Sequence, residues 1–201
     1  MFMMTTFTNE SFMVQNYDLN QALATLQNGG LILYPTDTIW SIGCDATSED
    51  AVLDLIRLSK RNHSYPVELL FSSIDMIKAY VDHLHPRLET LLAYHVQPLT
   101  VLLENPRRLP ASLFSQEGTV AIRLVQDSYC QELIEQFGFP IVAACASSAE
   151  YAIPSSFGSV SSEFIRGVDY VVKHRQMEKA GGQLSVMVRL SEQDELIFLR
   201  E

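Results

Sequence analysis

Cysteine is scarce in this chain, and its spacing excludes two kinds of structural site. The sequence has three cysteines, Cys44, Cys130 and Cys145, which form neither a CxxC pair nor an even-numbered set. Structural zinc sites and disulfide frameworks are built from such pairs. We therefore expect reduced thiols that pack as small apolar side chains.

Long apolar stretches and targeting signals are also lacking. No stretch approaches the roughly 18 consecutive apolar residues of a membrane-spanning helix. The first residues, MFMMTTFTNESFM, do not contain the basic segment that opens a signal peptide. With 201 residues, of which 47% are hydrophobic and 19% charged, the chain fits one globular domain. These features predict a cytoplasmic protein with a single domain over 1–201 and a core over about 15–200.

Positive charge is in short supply. The chain has 14 Lys and Arg against 24 Asp and Glu, a formal net charge of −10. Affinity for a phosphate backbone comes from clustered Lys and Arg, so extended binding to nucleic acid is disfavoured. The clearest basic groups are short and are typical of a solvated surface: Lys60 with Arg61, Arg107 with Arg108, and Lys173 with Arg175.

Alternating helix and strand patterns predict an α/β fold. Leucine and alanine recur at helical spacing from Asp18 to Asn28, and Gly29 and Gly30 then favour a left-handed cap. Ser48 is a candidate N-cap for the next helix, which should end near Asn62. A Ser, Ala, Gly and Pro-rich stretch over 147–162 predicts a long functional loop. The remaining predictions are helices over 74–81, 87–94, 129–137 and 163–166, and strands over 31–34, 67–71, 99–103, 120–125, 141–144, 170–172, 186–190 and 196–199.

The stretch Gly29–Ala46, GGLILYPTDTIWSIGCDA, places hydroxyl and carboxylate groups at the end of an apolar strand. Open α/β sheets bind ligands at such strand ends. On an extended segment Thr36 and Thr38 share one face while Asp37 points away. We therefore expect the two threonines to line a pocket. A strand followed by an ordinary polar turn is the alternative interpretation.

This stretch resembles the opening motif of the YrdC-like family, the threonylcarbamoyl-AMP synthases, with Ser41 in place of the motif's first glycine. The similarity can be traced from about Asn20 to Leu190. It implies a twisted mixed sheet flanked by helices, a YrdC-like or RibB-like fold with a concave ligand site. The matching residues are Pro35, Thr36, Asp37, Thr38, Trp40, Ile42, Gly43, Cys44, Asp45 and Ala46.

The resemblance also implies an activity. Members of this family condense L-threonine, bicarbonate and ATP into threonylcarbamoyl-AMP and pyrophosphate, and a partner enzyme transfers the product to adenosine in tRNA. A carbamate oxygen attacks the α-phosphorus, so the protein supplies mainly positioning and cationic or hydrogen-bonding groups. The implied cofactor is ATP, with Mg²⁺ as its counter-ion.

Two of the family's motifs are altered in this chain. The Lys-x-Arg pair falls on Ser59 and Arg61, and Lys60 is a poor substitute because one residue rotates a helical side chain by about 100°. The family's Ser-Thr-Ser-Ala-Asn segment corresponds to 143–147, AACAS, with Cys145 and Ser147 in polar positions. A carboxylate at Glu150 then follows, which is unfavourable for an anionic ligand. Loss of one preorganised donor typically costs about 2.7 to 4 kcal/mol in the transition state.

Other polar positions match the family and complete the predicted site. Thr100 lies in a Pro-Leu-Thr step, Arg123 in AIRL and Ser185 in LSVMVRL. The resemblance implies Arg61 and Thr38 as catalytic residues and Thr36, Thr38 and Thr100 as substrate-binding residues. It implies nucleotide binding by Arg61, Cys145, Ser147, Arg123 and Ser185.

Ordinary structural roles remain open for several of these residues. Arg61 fits a solvated helix end, Arg123 an outward-facing strand position, and Cys145 a small buried apolar residue. A metal site at His83 and His85 is not predicted, because no carboxylate or cysteine cluster accompanies the HLH sequence.

Three functions follow from these observations. The first is a working threonylcarbamoyl-AMP synthase. The second is a catalytically impaired relative that binds a nucleotide, an amino acid or a protein partner without turnover. The third is binding of double-stranded RNA, which the family resemblance allows and the net charge disfavours.

Overall fold

The computed structural model describes residues 9–59, 67–147, 153–178 and 182–201, with side chains from residue 16 onward. It contains six α-helices and nine strands within these ranges. The helices are α1 Asn9–Gln27, α2 Glu49–Ser59, α3 Ile74–Tyr80, α4 Pro86–Tyr94, α5 Ser128–Phe137 and α6 Ser162–Gly167. The strands are β1 Ile32–Pro35, β2 Trp40–Gly43, β3 Glu68–Phe71, β4 Leu99–Leu103, β5 Val120–Leu124, β6 Ile141–Cys145, β7 Tyr170–Val171, β8 Val186–Leu190 and β9 Leu196–Arg200.

The described strands form one mixed sheet in the order β7-β1-β2-β6-β3-β5-β4-β8-β9. Three pairs are parallel, namely β1 with β7, β3 with β5 and β4 with β8, and the other neighbours are antiparallel. Helices flank the sheet, which confirms the predicted mixed α/β class. Among the described residues, no helix is both long and apolar enough to cross a membrane.

Each face of the sheet carries its own apolar core. Successive residues of a strand point to opposite faces, so Leu69 packs with the helices α2, α3, α4 and α6, whereas Leu70 packs with α1 and α5. Arg123 lies opposite Leu70 in the parallel register. Its side chain is therefore on the face that α1 and α5 partly cover.

Two predicted helix boundaries depend on local chain chemistry, and both were found. Gly29 follows α1 with φ +75°, and the amide of Gly30 donates to the Thr25 carbonyl at 2.9 Å, which closes the helix end. The Ser48 hydroxyl accepts from the Ala51 amide at 3.4 Å at the start of α2. The predicted end of this helix near Asn62 lies outside the described residues.

Strand β2 was missed in the sequence. It pairs with β1 in a hairpin and places Gly43 opposite Ile32. A Cβ at Gly43 would come within 2.5 Å of the Tyr34 ring and 2.6 Å of the Val142 carbonyl oxygen. Glycine is therefore required by close approach of the neighbouring strands. The available signal for this strand was the alternation of the apolar Trp40 and Ile42 with Ser41 and Gly43.

Candidate functional site

The turn after β1 is bent rather than extended, which corrects the expectation that both Thr36 and Thr38 line a pocket. The Thr36 hydroxyl accepts from the amides of Thr38 and Ile39, both at 3.2 Å, and donates to the Ile39 carbonyl at 2.9 Å. The Thr38 hydroxyl lies 2.9 Å from that of Thr36. Thr36 is fully buried and stabilises the turn, whereas Thr38 lines a small cavity beside the turn.

A small polar cavity lies on the sheet face beside this turn. Its volume is about 20 Å³, and a water molecule needs at least about 10 to 15 Å³. The space therefore fits one or two water molecules in this conformation. It is lined by Thr38, Ile39, Ser41, Glu68, Arg123, Ala143, Cys145, Leu184, Ser185 and Arg200.

Arg123 is the central charge of the site. Its side chain is 1% exposed and lies between the carboxylates of Asp37 and Glu68. The guanidinium donates to Asp37 Oδ1, and its Nε lies 3.0 Å from Glu68 Oε2 without the alignment of a hydrogen bond. Asp37 Oδ2 also accepts from the Gln126 amide at 3.3 Å. A buried guanidinium needs such partners, so Asp37 belongs to the site and does not point away from it.

A hydrogen-bond network continues from Glu68 to the last strand. Arg200 Nη2 donates to Glu68 Oε1 at 3.0 Å and to Ser185 Oγ at 2.8 Å. The Ser185 hydroxyl donates to Glu68 Oε1 at 2.9 Å, since a carboxylate only accepts. The remaining contact, 2.6 Å between the hydroxyls of Thr100 and Ser185, is then donated by Thr100. Thr100 is fully buried and supports Ser185 from behind the cavity.

Glu68 and Arg200 were not predicted as site residues. Glu68 begins β3, directly opposite Ala121 on one neighbouring strand and Ala143 on the other, and these small side chains leave room for its carboxylate. The available signal was a glutamate in the apolar run over 67–71. For Arg200 the sequence offered no comparable signal, because it follows an ordinary terminal strand pattern.

The electrostatics of the site are balanced. Burial raises the pKa of Glu68, but the guanidiniums of Arg123 and Arg200 and the hydrogen bonds from Ser185 and Arg200 outweigh it and hold the pKa below its ordinary value. Burial lowers the pKa of Arg123, and Glu68 and Asp37 more than restore it, so the guanidinium stays charged. Two cations thus face two carboxylates, and their formal charges cancel.

Cys145 lines the cavity but is not poised as a nucleophile. Burial, with a smaller effect of the Glu68 charge, raises its pKa to about 11 despite a hydrogen bond with the Ser147 backbone. The thiol is therefore protonated at neutral pH, when the reactive form would be the thiolate. Cys44 and Cys130 are buried, and Cys145 is half-buried; all three are free thiols.

The remaining predicted residues have mixed placements. Ser147 is half-buried and lies two residues beyond the end of β6. Arg61, the predicted catalytic cation, lies outside the described residues, as do Lys60 and Glu150. The structure thus brings Thr38, Cys145, Arg123 and Ser185 to one cavity, with Thr36 and Thr100 directly behind it.

The curated proteins that match this chain include several named threonylcarbamoyl-AMP synthase. The chain is 31% identical over 163 residues to a threonylcarbamoyl-AMP synthase of Xanthomonas euvesicatoria pv. vesicatoria, covering 80% of this chain and 87% of that protein. It is also 31% identical over 157 residues to a threonylcarbamoyl-AMP synthase of Xanthomonas oryzae pv. oryzae, covering 77% and 84% of the two chains.

Solved structures share the fold. YciO of E. coli matches with a TM-score of 0.76 at 19% identity, over 93% of this chain and 89% of its own. Sua5 of P. abyssi, solved in complex with L-threonine, matches with a TM-score of 0.79 at 22% identity over 92% of this chain. This chain spans about half of that Sua5 chain, 54%.

A family model matches most of the chain. The Sua5/YciO/YrdC model, described as "Telomere recombination", covers residues 24–201. That range contains the turn after β1, all nine described strands and every residue of the cavity. The chain therefore belongs to the Sua5/YciO/YrdC family.

Proposed function

We propose that this chain forms threonylcarbamoyl-AMP and pyrophosphate from L-threonine, bicarbonate and ATP. The observation that carries the proposal is the convergence of Thr38, Arg123 and Ser185 on one cavity. It occurs in a chain whose curated relatives, at 31% identity, are named threonylcarbamoyl-AMP synthases. The residues come from distant parts of the sequence, so their convergence is a property of the fold.

The reaction assigns a role to each of these groups. The amine of threonine and bicarbonate give a carbamate with loss of water, and a carbamate oxygen then displaces pyrophosphate from the α-phosphorus of ATP. The Thr38 hydroxyl accepts a hydrogen bond that orients the threonine or its carbamate, and the Ser185 hydroxyl joins it when its bond to Glu68 is released. Arg123 and the predicted Arg61 offset negative charge around the phosphorus. Mg²⁺ enters with ATP, and the product passes to a tRNA-modifying partner enzyme.

Pyrophosphate release tests this proposal. With ATP present, release should require both L-threonine and bicarbonate, and the product should be identified as threonylcarbamoyl-AMP by mass. Arg61→Ala should abolish release, whereas Arg57→Ala, an exposed change on the preceding helix, should leave it intact. Release that is independent of either substrate, or no release at all from folded protein, would reject the activity.

A second function is favoured by the charge balance of the site. Because Arg123 and Arg200 are already paired with Asp37 and Glu68, the described site offers an incoming triphosphate little net positive charge. Such a site suits binding of an amino acid or nucleotide without turnover. Calorimetry with L-threonine, AMP and ATP separates the cases: heat without pyrophosphate release indicates a binding protein.

A further inference from the structure

The carboxylate of Glu68 occupies the point where the donors of the site converge. Arg200 Nη2 and the Ser185 hydroxyl both donate to Oε1, at 3.0 and 2.9 Å, and Arg123 Nε lies 3.0 Å from Oε2. The two hydrogen-bond donors come from β9 and the residue before β8, and the ion-pair partner Arg123 comes from β5. Their common target is one oxyanion.

The place that this carboxylate fills is part of the cavity. Glu68, Arg123, Ser185 and Arg200 are all lining residues of the same 20 Å³ space. The positions beside Glu68 in the neighbouring strands are alanines, so shortening Glu68 would enlarge the cavity toward both guanidiniums. The side chain of Glu68 is 12% exposed and its carboxylate is within reach of a ligand.

The donor set is one that binds oxyanions in general. Guanidinium groups match the planar oxygen pairs of carboxylates and phosphates, and charge-assisted hydrogen bonds to them are the strong ones. L-Threonine, which the P. abyssi Sua5 structure contains, carries such a carboxylate. An oxyanion of a ligand and the carboxylate of Glu68 therefore require the same donors.

We propose that Glu68 determines specificity as an intramolecular competitor: it holds the oxyanion position of the ligand site, and an anionic group binds there only by displacing it. The proposal rests on the ligand site named under the proposed function, and deepens it. A tethered competitor acts at a high effective concentration, so it lowers the affinity of the native site for carboxylates and phosphates. Removal of Glu68 changes the summed formal charge of Asp37, Glu68, Arg123 and Arg200 from zero to +1.

Anion binding by Glu68→Ala tests the competitor directly. Full-length native protein, Glu68→Ala and the control Glu135→Ala, an exposed change on α5, are titrated calorimetrically with acetate and with inorganic phosphate. Glu68→Ala should bind at least one of them about tenfold more tightly than native protein, the equivalent of one charge-assisted hydrogen bond. The Glu135→Ala control should match native protein. The acetate and phosphate arms identify whether the position prefers a carboxylate or a phosphate.

Equal affinity of native protein and Glu68→Ala for both anions would overturn the proposal. Glu68→Gln keeps the volume of the side chain and removes only its charge, so its affinity should lie between the two. If Glu68→Ala does not fold, an unchanged affinity in folded Glu68→Gln overturns the proposal equally. The assay needs no turnover. Tighter anion binding by Glu68→Ala, with no pyrophosphate release by native protein, would therefore support the competitor and reject the proposed activity. Pyrophosphate release by native protein, with no tighter anion binding by Glu68→Ala, would support the activity and overturn the competitor.

Discussion

Replacement of Arg123 by methionine tests the buried charge cluster most directly. Arg123 has a side chain that is 1% exposed and lies between Asp37 and Glu68. Methionine retains much of the apolar stem and removes the guanidinium. After the change Glu68 keeps Arg200 as its partner, at 3.0 Å. Asp37 keeps the amide of Gln126, at 3.3 Å.

The expected cost follows from these remaining contacts. Removal of one partner from a buried ion pair costs about 3 to 5 kcal/mol, because the other charge stays buried. The lower end applies here, since both carboxylates retain a donor and are 10% and 12% exposed. We predict a loss of about 3 kcal/mol in the free energy of unfolding, or a fall in Tm of about 6 to 12 °C.

The measurement uses the single tryptophan of the chain. Trp40 is fully buried, so urea unfolding can be followed by its fluorescence. Arg57→Met is the matched control, because the ion pair of Arg57 with Asp54 is exposed, and it should change stability by less than about 0.5 kcal/mol. A loss for Arg123→Met no larger than that of the control would refute a buried, energetically coupled cluster.

Three further changes address the pH dependence, the strand approach and the turn. Native protein should be more stable than Glu68→Gln near pH 7, and this difference should decline as the pH falls below 4.5. The reason is that folding lowers the pKa of Glu68, so the unfolded chain takes up the proton first. A difference that grows on acidification in urea titrations would contradict this. Gly43→Ala should lower stability by about 1 to 3 kcal/mol through overpacking against the Val142 carbonyl. The control Gly158→Ala, where a Cβ has open space, should leave the Tm of thermal denaturation nearly unchanged. Equal effects of Gly43→Ala and Gly158→Ala would count against the close approach of the strands at Gly43. Thr36→Val should cost about 1 to 3 kcal/mol because the Thr36 hydroxyl bonds the turn, whereas Thr36→Ser should retain most of that stability; chemical denaturation distinguishes the pair.

Local patterns in the sequence predicted most of the elements. The strand β4 over Leu99–Leu103 and β8 over Val186–Leu190 have the predicted bounds, and α3 and α5 differ by one residue at an end. Helix α1 begins at Asn9 rather than Asp18, because its early residues lack the regular Leu and Ala spacing. Periodicity, caps and turn residues are properties of neighbouring residues, so a single sequence contains them.

The motif residues were likewise identifiable before the fold was seen. The PTDT segment and the resemblance it carries pointed to Thr38, Arg123 and Ser185, and the structure places all three at one cavity. The sequence also predicted a polar turn after β1. It did not predict that this turn bends so that Asp37 contacts Arg123, because the bend depends on the hairpin with β2.

Sequence alone therefore determined the fold class, the family resemblance and the polar residues that a ligand site needs. Only the tertiary structure decided that Glu68 and Arg200, 132 positions apart in the chain, meet at the same point. The pairing of distant strands sets which side chains share a face and a register, and a shift of one residue would turn each of them away. The charge balance of the site, and with it the oxyanion position that Glu68 fills, arises from that register.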